Sequence, residues 1–188
     1  MTSLSKKYLY LTALGASLGE RKRNIIQTLK LLQREGALVH RCSSLYETSP
    51  AGGIAENTFY NMCAGILSNL EPHDFMQTCL HLEIEIGRRR NQKWEDRIID
   101  IDVIGVYPVA HKEDKGLATS LSPLEIETKI LTSPHPLAAE RDFVVVPSAE
   151  IYPHLKLSEN LGTFAHIKDS KKFSPLNNIE KNLLKFIT

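Results

Sequence analysis

Residues 98–106 form an apolar, mostly β-branched run, Ile-Ile-Asp-Ile-Asp-Val-Ile-Gly-Val, into which two carboxylates are set two residues apart. A strand turns successive side chains to opposite faces. Ile99, Ile101 and Val103 therefore share one face of the strand, and Asp100 and Asp102 share the other. With a rise of about 3.3 Å per residue, the two acidic Cα atoms lie about 6.5–7 Å apart. Two ionised carboxylates at that spacing repel each other and cost desolvation, so the pair needs water or a cation. Two readings stand at this point. One is a half-exposed strand whose wet face is acidic. The other is a site for Mg²⁺, which takes one or two protein carboxylates and completes its shell with substrate phosphates.

The whole chain bounds the choice. Its 188 residues suffice for one domain with a real core. A net charge of +1 advertises neither nucleic acid nor an anionic membrane. Cys42, Cys63 and Cys79 are odd in number, lack C-x-x-C spacing and sit in apolar patterns, which fits reduced, buried thiols in a cytoplasmic protein. No apolar run approaches transmembrane length, and the one from Tyr8 to Leu14 is too short for the apolar core of a signal peptide.

Tyr8 to Leu14 reads as a buried strand. Glu20 to Glu35 reads as a helix with Ile25, Leu29 and Leu32 on one stripe and Gly36 as its stop. Leu38 to Thr48 reads as a second strand, and Phe59 to Leu67 as a third with Tyr60, Met62, Ala64 and Ile66 on one face. Pro72 opens a second helix, with Phe75, Cys79, Leu82 and Ile86 buried and Gly87 at its end. Arg88 to Asp96 is a polar, basic loop that leads into the acidic strand. Pro108 to Thr128 reads as a surface excursion and Phe143 to Val146 as a short strand or a helix start. Asn177 to Ile187 reads as a small amphipathic helix with Ile179, Leu183 and Phe186, in a peripheral tail. The order strand, helix, strand, strand, helix, strand predicts an α+β fold, a ferredoxin-like sandwich around a central, mostly antiparallel sheet.

Several residues could serve a phosphate. Gly15-Ala16-Ser17-Leu18-Gly19 lacks the following Gly-Lys-Ser/Thr of a phosphate loop and reads as a tight turn. Arginine is the alternative, because its fork grips phosphate oxygens in pairs. Arg88, Arg89 and Arg90 form a run that on its own reads as a solvated helix end. Arg97 stands three before Asp100, and Arg141 lies further on. His135 is held between two prolines. Trp94 in the basic loop is a candidate lid anchor or stacking surface. Phe59 and Asn61 share the strand face opposite the Tyr60 set, and an aromatic face beside a carboxamide suits a flat heterocycle.

These pieces, in this order, resemble the 6-hydroxymethyl-7,8-dihydropterin pyrophosphokinases, a family of folate-biosynthesis enzymes. The stretches that carry the resemblance are Leu14 to Arg21, Ser44-Leu45-Tyr46-Glu47-Thr48-Ser49-Pro50, Phe59-Tyr60-Asn61 and Glu83-x-x-x-Gly87-Arg88-Arg89-Arg90. The most specific is Arg97-x-x-Asp100-x-Asp102 followed by Pro134-His135-Pro136 and Arg141-Asp142-Phe143. The likeness covers about residues 8–158 of a single domain spanning 1–188, with 159–188 as the tail.

The resemblance implies a ferredoxin-like α/β/α sandwich that transfers pyrophosphate from ATP to the hydroxymethyl group of the pterin, leaving AMP. It implies that Asp100 and Asp102 bind two Mg²⁺ that bridge the ATP phosphates, with Arg90 and Arg97 completing the catalytic set. Phe59 and Phe143 would sandwich the pterin, and Asn61 would pair with its edge, with help from the backbone near Thr48 and Ala51. Arg90, Lys93 and Trp94 would lie on the loop closing over ATP. Arg97, Thr132, His135 and Arg141 would contact nucleotide or phosphates, and Glu83 would face the nucleotide site. The implied partners are small molecules, without nucleic acid or membrane, and the implied state is a monomer. The chain departs from the family's usual Gly-Ser-Asn at Gly15-Ala16-Ser17. It also carries Leu80 where a polar adenine contact is common. A regulatory RNA-binding module and a D-x-D sugar-nucleotide transferase are the other readings. The near-neutral charge opposes the first, and the missing nucleotide-binding α/β pattern opposes the second.

Overall fold

The computed structural model describes residues 7–50, 56–88, 96–109, 121–173 and 175–187. In chain order the elements are β1 (Lys7–Ala16), α1 (Arg21–Arg34), β2 (Leu38–Cys42), β3 (Leu45–Thr48), β4 (Phe59–Ser68), α2 (Pro72–Ile86) and β5 (Asp100–Val109). They continue with β6 (Ile126–Glu127), β7 (Thr132–Ser133), α3 (Asp142–Ile151), β8 (Lys156–Ser158), β9 (Gly162–Thr163), α4 (Phe164–Lys171) and β10 (Asn177–Glu180). The central sheet runs β10-β3-β4-β1-β5, β2 shares the β3 edge of β4, and each of these pairings is antiparallel.

Two apolar layers cover this sheet. On one face Tyr10, Leu14, Met62, Ala64, Ile66, Ile99, Ile101 and Val103 meet Ile25, Leu29 and Leu32 of α1 and Phe75, Cys79 and Leu82 of α2. Each fully buried Leu or Ile contributes about 1.5–3 kcal/mol, so the predicted helical stripe is what fixes α1 to the sheet. On the other face Leu9, Leu11, Ala13, Cys63 and Ile104 meet Val144, Val145, Ala149 and Ile151 of α3 and Phe164 and Ile167 of α4. Tyr152, just past α3, lies against Gly65 of β4, where an added Cβ would fall 2.2 Å from its hydroxyl. The result is the α/β/α sandwich that the element order predicts.

β5 carries a bulge. Leu11 faces Gly105 but Thr12 faces Val103, so Ile104 is the extra residue. Before it, Asp100, Asp102 and Ile104 share the α3 face. After it the parity flips, with Val106 toward α1 and α2 and Tyr107 toward α3.

Two segments differ from the sequence reading, and a third, Phe143 to Val146, takes the helix start of its two alternatives. Leu38 to Thr48 is two strands, because Ser43 leaves the ladder. Its amide donates to Cys63 O (2.9 Å) and its Oγ accepts from Cys63 N (2.9 Å). Five residues from Cys42 to Tyr46 then oppose four from Ala64 to Asn61. Phe143 to Val146 belongs to α3, which starts on the Arg141 carbonyl, acceptor for Val144 N (3.1 Å) and Val145 N (2.9 Å). Asn177 to Ile187 is a strand and a short 3₁₀ turn (Leu183–Phe186), separated by Asn182 at φ 58°. β10 pairs with β3, and Leu183 and Ile187 are buried in the core.

Candidate active site

Two rows of facing residues cross the sheet on the α3 side. Gly15 of β1 stands opposite both Asp100 of β5 and Asn61 of β4, and Ala13 stands opposite both Asp102 and Cys63. Neighbouring strands lie about 4.8 Å apart, so the backbones of Asp100 and Asn61 are about 10 Å apart with small residues between them. Gly15 has to be small. A Cβ there would sit 2.7 Å from Asn61 Oδ1 and 3.7 Å from Phe59 Cδ1. Over this floor opens a cleft of about 300 Å³, lined by Thr48, Ser49, Phe59, Asn61, Arg97, Asp100, Asp102, His135, Arg141 and Phe143 besides the β1 residues.

The acidic end is bound up with arginines. Asp100 accepts from Arg88 Nη1 through Oδ1 (2.5 Å) and from Arg97 Nη1 through Oδ2. Asp102 Oδ2 accepts from Arg141 Nη1 at 3.2 Å. Burial first, and the Asp100 charge second, push the Asp102 carboxyl up to about 6, against the pull of Arg141 and Arg97. Beneath them Glu83, 1 % exposed, accepts from Arg88 and from the amide of Ile101 (2.8 Å).

Arg88 reaches this position because α2 ends in a Schellman turn. Gly87 adopts φ 109°, its amide bonds Ile84 O (2.9 Å), and Arg88 N bonds Glu83 O (2.9 Å). That turn folds Arg88 back over the last turn of its own helix.

His135 stands at the rim. Its amide donates to Ile104 O (2.9 Å), and its Nδ1 accepts from Leu137 N (3.2 Å). Burial, then the nearby Arg141, lower its proton affinity, so the ring is neutral at pH 7. With Nδ1 committed as acceptor, the single proton is on Nε2.

The far end suits a flat ring. Asn61 Nδ2 donates to Thr48 Oγ1 (2.7 Å), which leaves Oδ1 as an acceptor beside Gly15. Phe59 on β4 and Phe143 on α3 line the same cleft.

Nine residues singled out in the sequence thus surround one cleft: Thr48, Phe59, Asn61, Arg97, Asp100, Asp102, His135, Arg141 and Phe143. Glu83 supports it from below rather than lining it. Thr132 sits on β7, paired with Glu127 and exposed, apart from the lining residues. Ala51, Arg90, Lys93 and Trp94 lie outside the described residues. Ser49 is an addition, and Arg88, offered by the sequence only as one of three arginines, is the one bonded to Asp100. In the sequence Arg88 is one member of a run of three, and its one distinguishing signal is a glutamate five residues back across a helix-ending glycine.

The profile of the 7,8-dihydro-6-hydroxymethylpterin-pyrophosphokinase (HPPK) family matches residues 11–153. The chain belongs to that family. It is 34% identical over 140 residues to the 2-amino-4-hydroxy-6-hydroxymethyldihydropteridine pyrophosphokinase of Bacillus subtilis, covering 74% of this chain and 75% of that one. It is 32% identical over 153 residues to the protein of the same name from Methylorubrum extorquens, covering 81% and 85%. The Dictyostelium discoideum folic acid synthesis protein FOL1 is 33% identical over 142 residues, 76% of this chain, but the chain spans only 19% of its length. Among solved structures, the Plasmodium falciparum HPPK-DHPS shares the fold over 90% of this chain and 45% of its own, with a TM-score of 0.61 at 13% identity. The family match ends at residue 153, so α4 and β10 lie beyond it.

Proposed function

We propose that this chain transfers pyrophosphate from ATP to the hydroxymethyl group of 6-hydroxymethyl-7,8-dihydropterin, giving AMP and the pterin diphosphate. We read it as a cytoplasmic, Mg²⁺-dependent monomer acting as one unit over residues 1–188. The observation that carries this reading is the polarity of the cleft. Paired carboxylates and arginines stand at one end, an aromatic pair and a carboxamide at the other, and a floor of Gly15 and Ala13 lies between.

At the ring end, Phe59 and Phe143 offer faces for stacking, and Asn61 Oδ1 accepts from an N–H on the edge of the pterin. On this reading the hydroxymethyl group faces Asp100 and Asp102. At the phosphate end, Arg97 and Arg141 hold the polyphosphate as negative charge moves onto the leaving AMP. Arg88, Arg97 and Arg141 are matched by Glu83, Asp100 and Asp102, so these six charges already cancel. A polyphosphate entering alone would add unbalanced charge, which supports its entering with magnesium. Asp100 and Asp102 are the oxygen donors on the cleft face that fit two such ions. Bound there, Mg²⁺ supplies Lewis-acid polarisation of the phosphoryl group and lowers the pKa of the attacking alcohol.

The bond made joins the pterin hydroxymethyl oxygen to the β-phosphorus, and the bond broken is the one to the bridging oxygen that leaves on AMP. His135 is a donor in this arrangement, because its Nε2 carries the proton, so it suits a phosphate oxygen and not a general base.

The deciding measurement is whether the pure protein forms AMP from ATP only when hydroxymethyl-dihydropterin is present. Asp100→Asn with Asp102→Asn should abolish that turnover in a folded protein. Normal turnover by that variant would end the reading.

A further inference from the structure

Arg97 lines the cleft and bonds Asp100, yet it lies just before β5, outside any ladder. Its backbone is held instead by the turn after β1, eighty residues earlier. Ser17 N and Leu18 N both donate to Arg97 O, at 2.8 and 3.1 Å. Arg97 N donates to the Ser17 hydroxyl at 2.8 Å, and Ser17 is 6 % exposed. The flanking residues are tied to the same place. Asn24 Nδ2 bridges Leu18 O (3.2 Å) and Ile98 O (3.1 Å). The Asp96 carboxylate bonds the Ser17 hydroxyl and accepts from Asn57 Nδ2 (2.6 Å) and Asn57 N (3.3 Å). A long guanidinium stem starting from a fixed Cα loses less freedom in reaching its target, and a misplacement of about 1 Å at such a group costs as much as 100-fold in rate.

We propose that Ser17 is a positioning residue for Arg97: its hydroxyl fixes the Arg97 backbone and so sets where the guanidinium meets Asp100 and the polyphosphate. This rests on the reading of the cleft given above. Ser17 itself touches neither substrate. It acts through one side chain, and that makes the inference separable from a general effect on the fold.

The test is a double-mutant cycle on the full chain, with Ser17→Ala, Arg97→Ala and both together, each assayed where it is folded. Ser17→Ala is expected to lower kcat about tenfold while KM for the pterin stays within about twofold, because the hydrogen bonds of this turn go to Arg97, Ile98 and Asp96 and not to Phe59, Asn61 or Phe143. In the Arg97→Ala background the same change should cost less than about twofold, since the group it aims is gone. Equal losses in both backgrounds, or a Ser17→Ala enzyme indistinguishable from the parent, would overturn the positioning role alone. An Arg97→Ala enzyme with parental turnover would instead remove the reading of the cleft, and this inference with it.

Discussion

Arg88 Nη1 stands 2.5 Å from Asp100 Oδ1 and also bonds the buried Glu83, so the acid facing the cleft and the acid beneath it share one cation. Arg88→Ala removes it from both. Breaking a buried pair costs about 3–5 kcal/mol, whereas replacing both partners by apolar groups of similar volume is often neutral. Urea denaturation should therefore show a loss of about 3 kcal/mol for Arg88→Ala and only partial recovery in Arg88→Met with Glu83→Leu, because the buried Ile101 amide then loses its acceptor.

Asp102 is relieved only in part, by Arg141 at 3.2 Å. Its carboxyl, pushed up to about 6 by burial and by Asp100, costs folding energy when ionised at pH 7.5. Without magnesium, Asp102→Asn should melt no lower than the parent. With Mg²⁺ and a non-hydrolysable ATP at about 100 times Kd, the parent should gain about 2.7 kcal/mol, or about 5–10 °C in Tm. Asp102→Asn should lose most of that gain. A variant that keeps it would show that the nucleotide is held without this carboxylate.

Gly15→Ala tests the ring end by itself. The new methyl must displace Asn61 Oδ1, 2.7 Å away, while the arginines at the other end stay in place. Losing or bending one hydrogen bond to the pterin corresponds to about 1–2 kcal/mol. KM for the pterin should rise about tenfold and KM for ATP should change less than about twofold. A rise confined to ATP would assign the ends of the cleft the other way round.

The thiols give a pH dependence with a definite sign. Burial pushes Cys42 and Cys63 up to about 12, and raises Cys79 as well. The unfolded chain releases these protons from about pH 8.5 upward and the folded chain holds them, so stability falls as pH rises from there toward 12. Cys63→Ala should flatten the fall in unfolding free energy between pH 8.5 and 10. At pH 8 iodoacetamide should label Cys63 and Cys79 in urea and leave them unlabelled in the native chain.

Period-two alternation is enough to make the two active-face rows legible in the amino-acid sequence. Asp100 and Asp102 oppose the Ile99 set, and Phe59 and Asn61 oppose the Tyr60 set, with the faces as the fold has them. The Ile25, Leu29 and Leu32 stripe is equally plain at helical spacing. What periodicity does not reveal is the effect of single residues on backbone direction. Ser43 breaks a strand by using its own hydroxyl as a ladder acceptor. Ile104 adds one residue and flips the parity of everything after it. Gly87 reverses the chain and turns Arg88 back toward Glu83 of its own helix. The tail misleads for a related reason: Ile179, Leu183 and Phe186 fall at near-helical spacing, but Asn182 turns left-handed between them.

β10 lies beyond the family match, yet it supplies the last rung of the sheet, with Asn177 facing Glu47 and Asn178 facing Tyr46. A version trimmed at residue 153 would strip β3 of that neighbour and leave its outer amides and carbonyls open to any strand that drifts by. For such a fragment the foreseeable fate is clumping with its own kind, and anyone choosing where to cut for expression or crystallisation should keep residues 154–188.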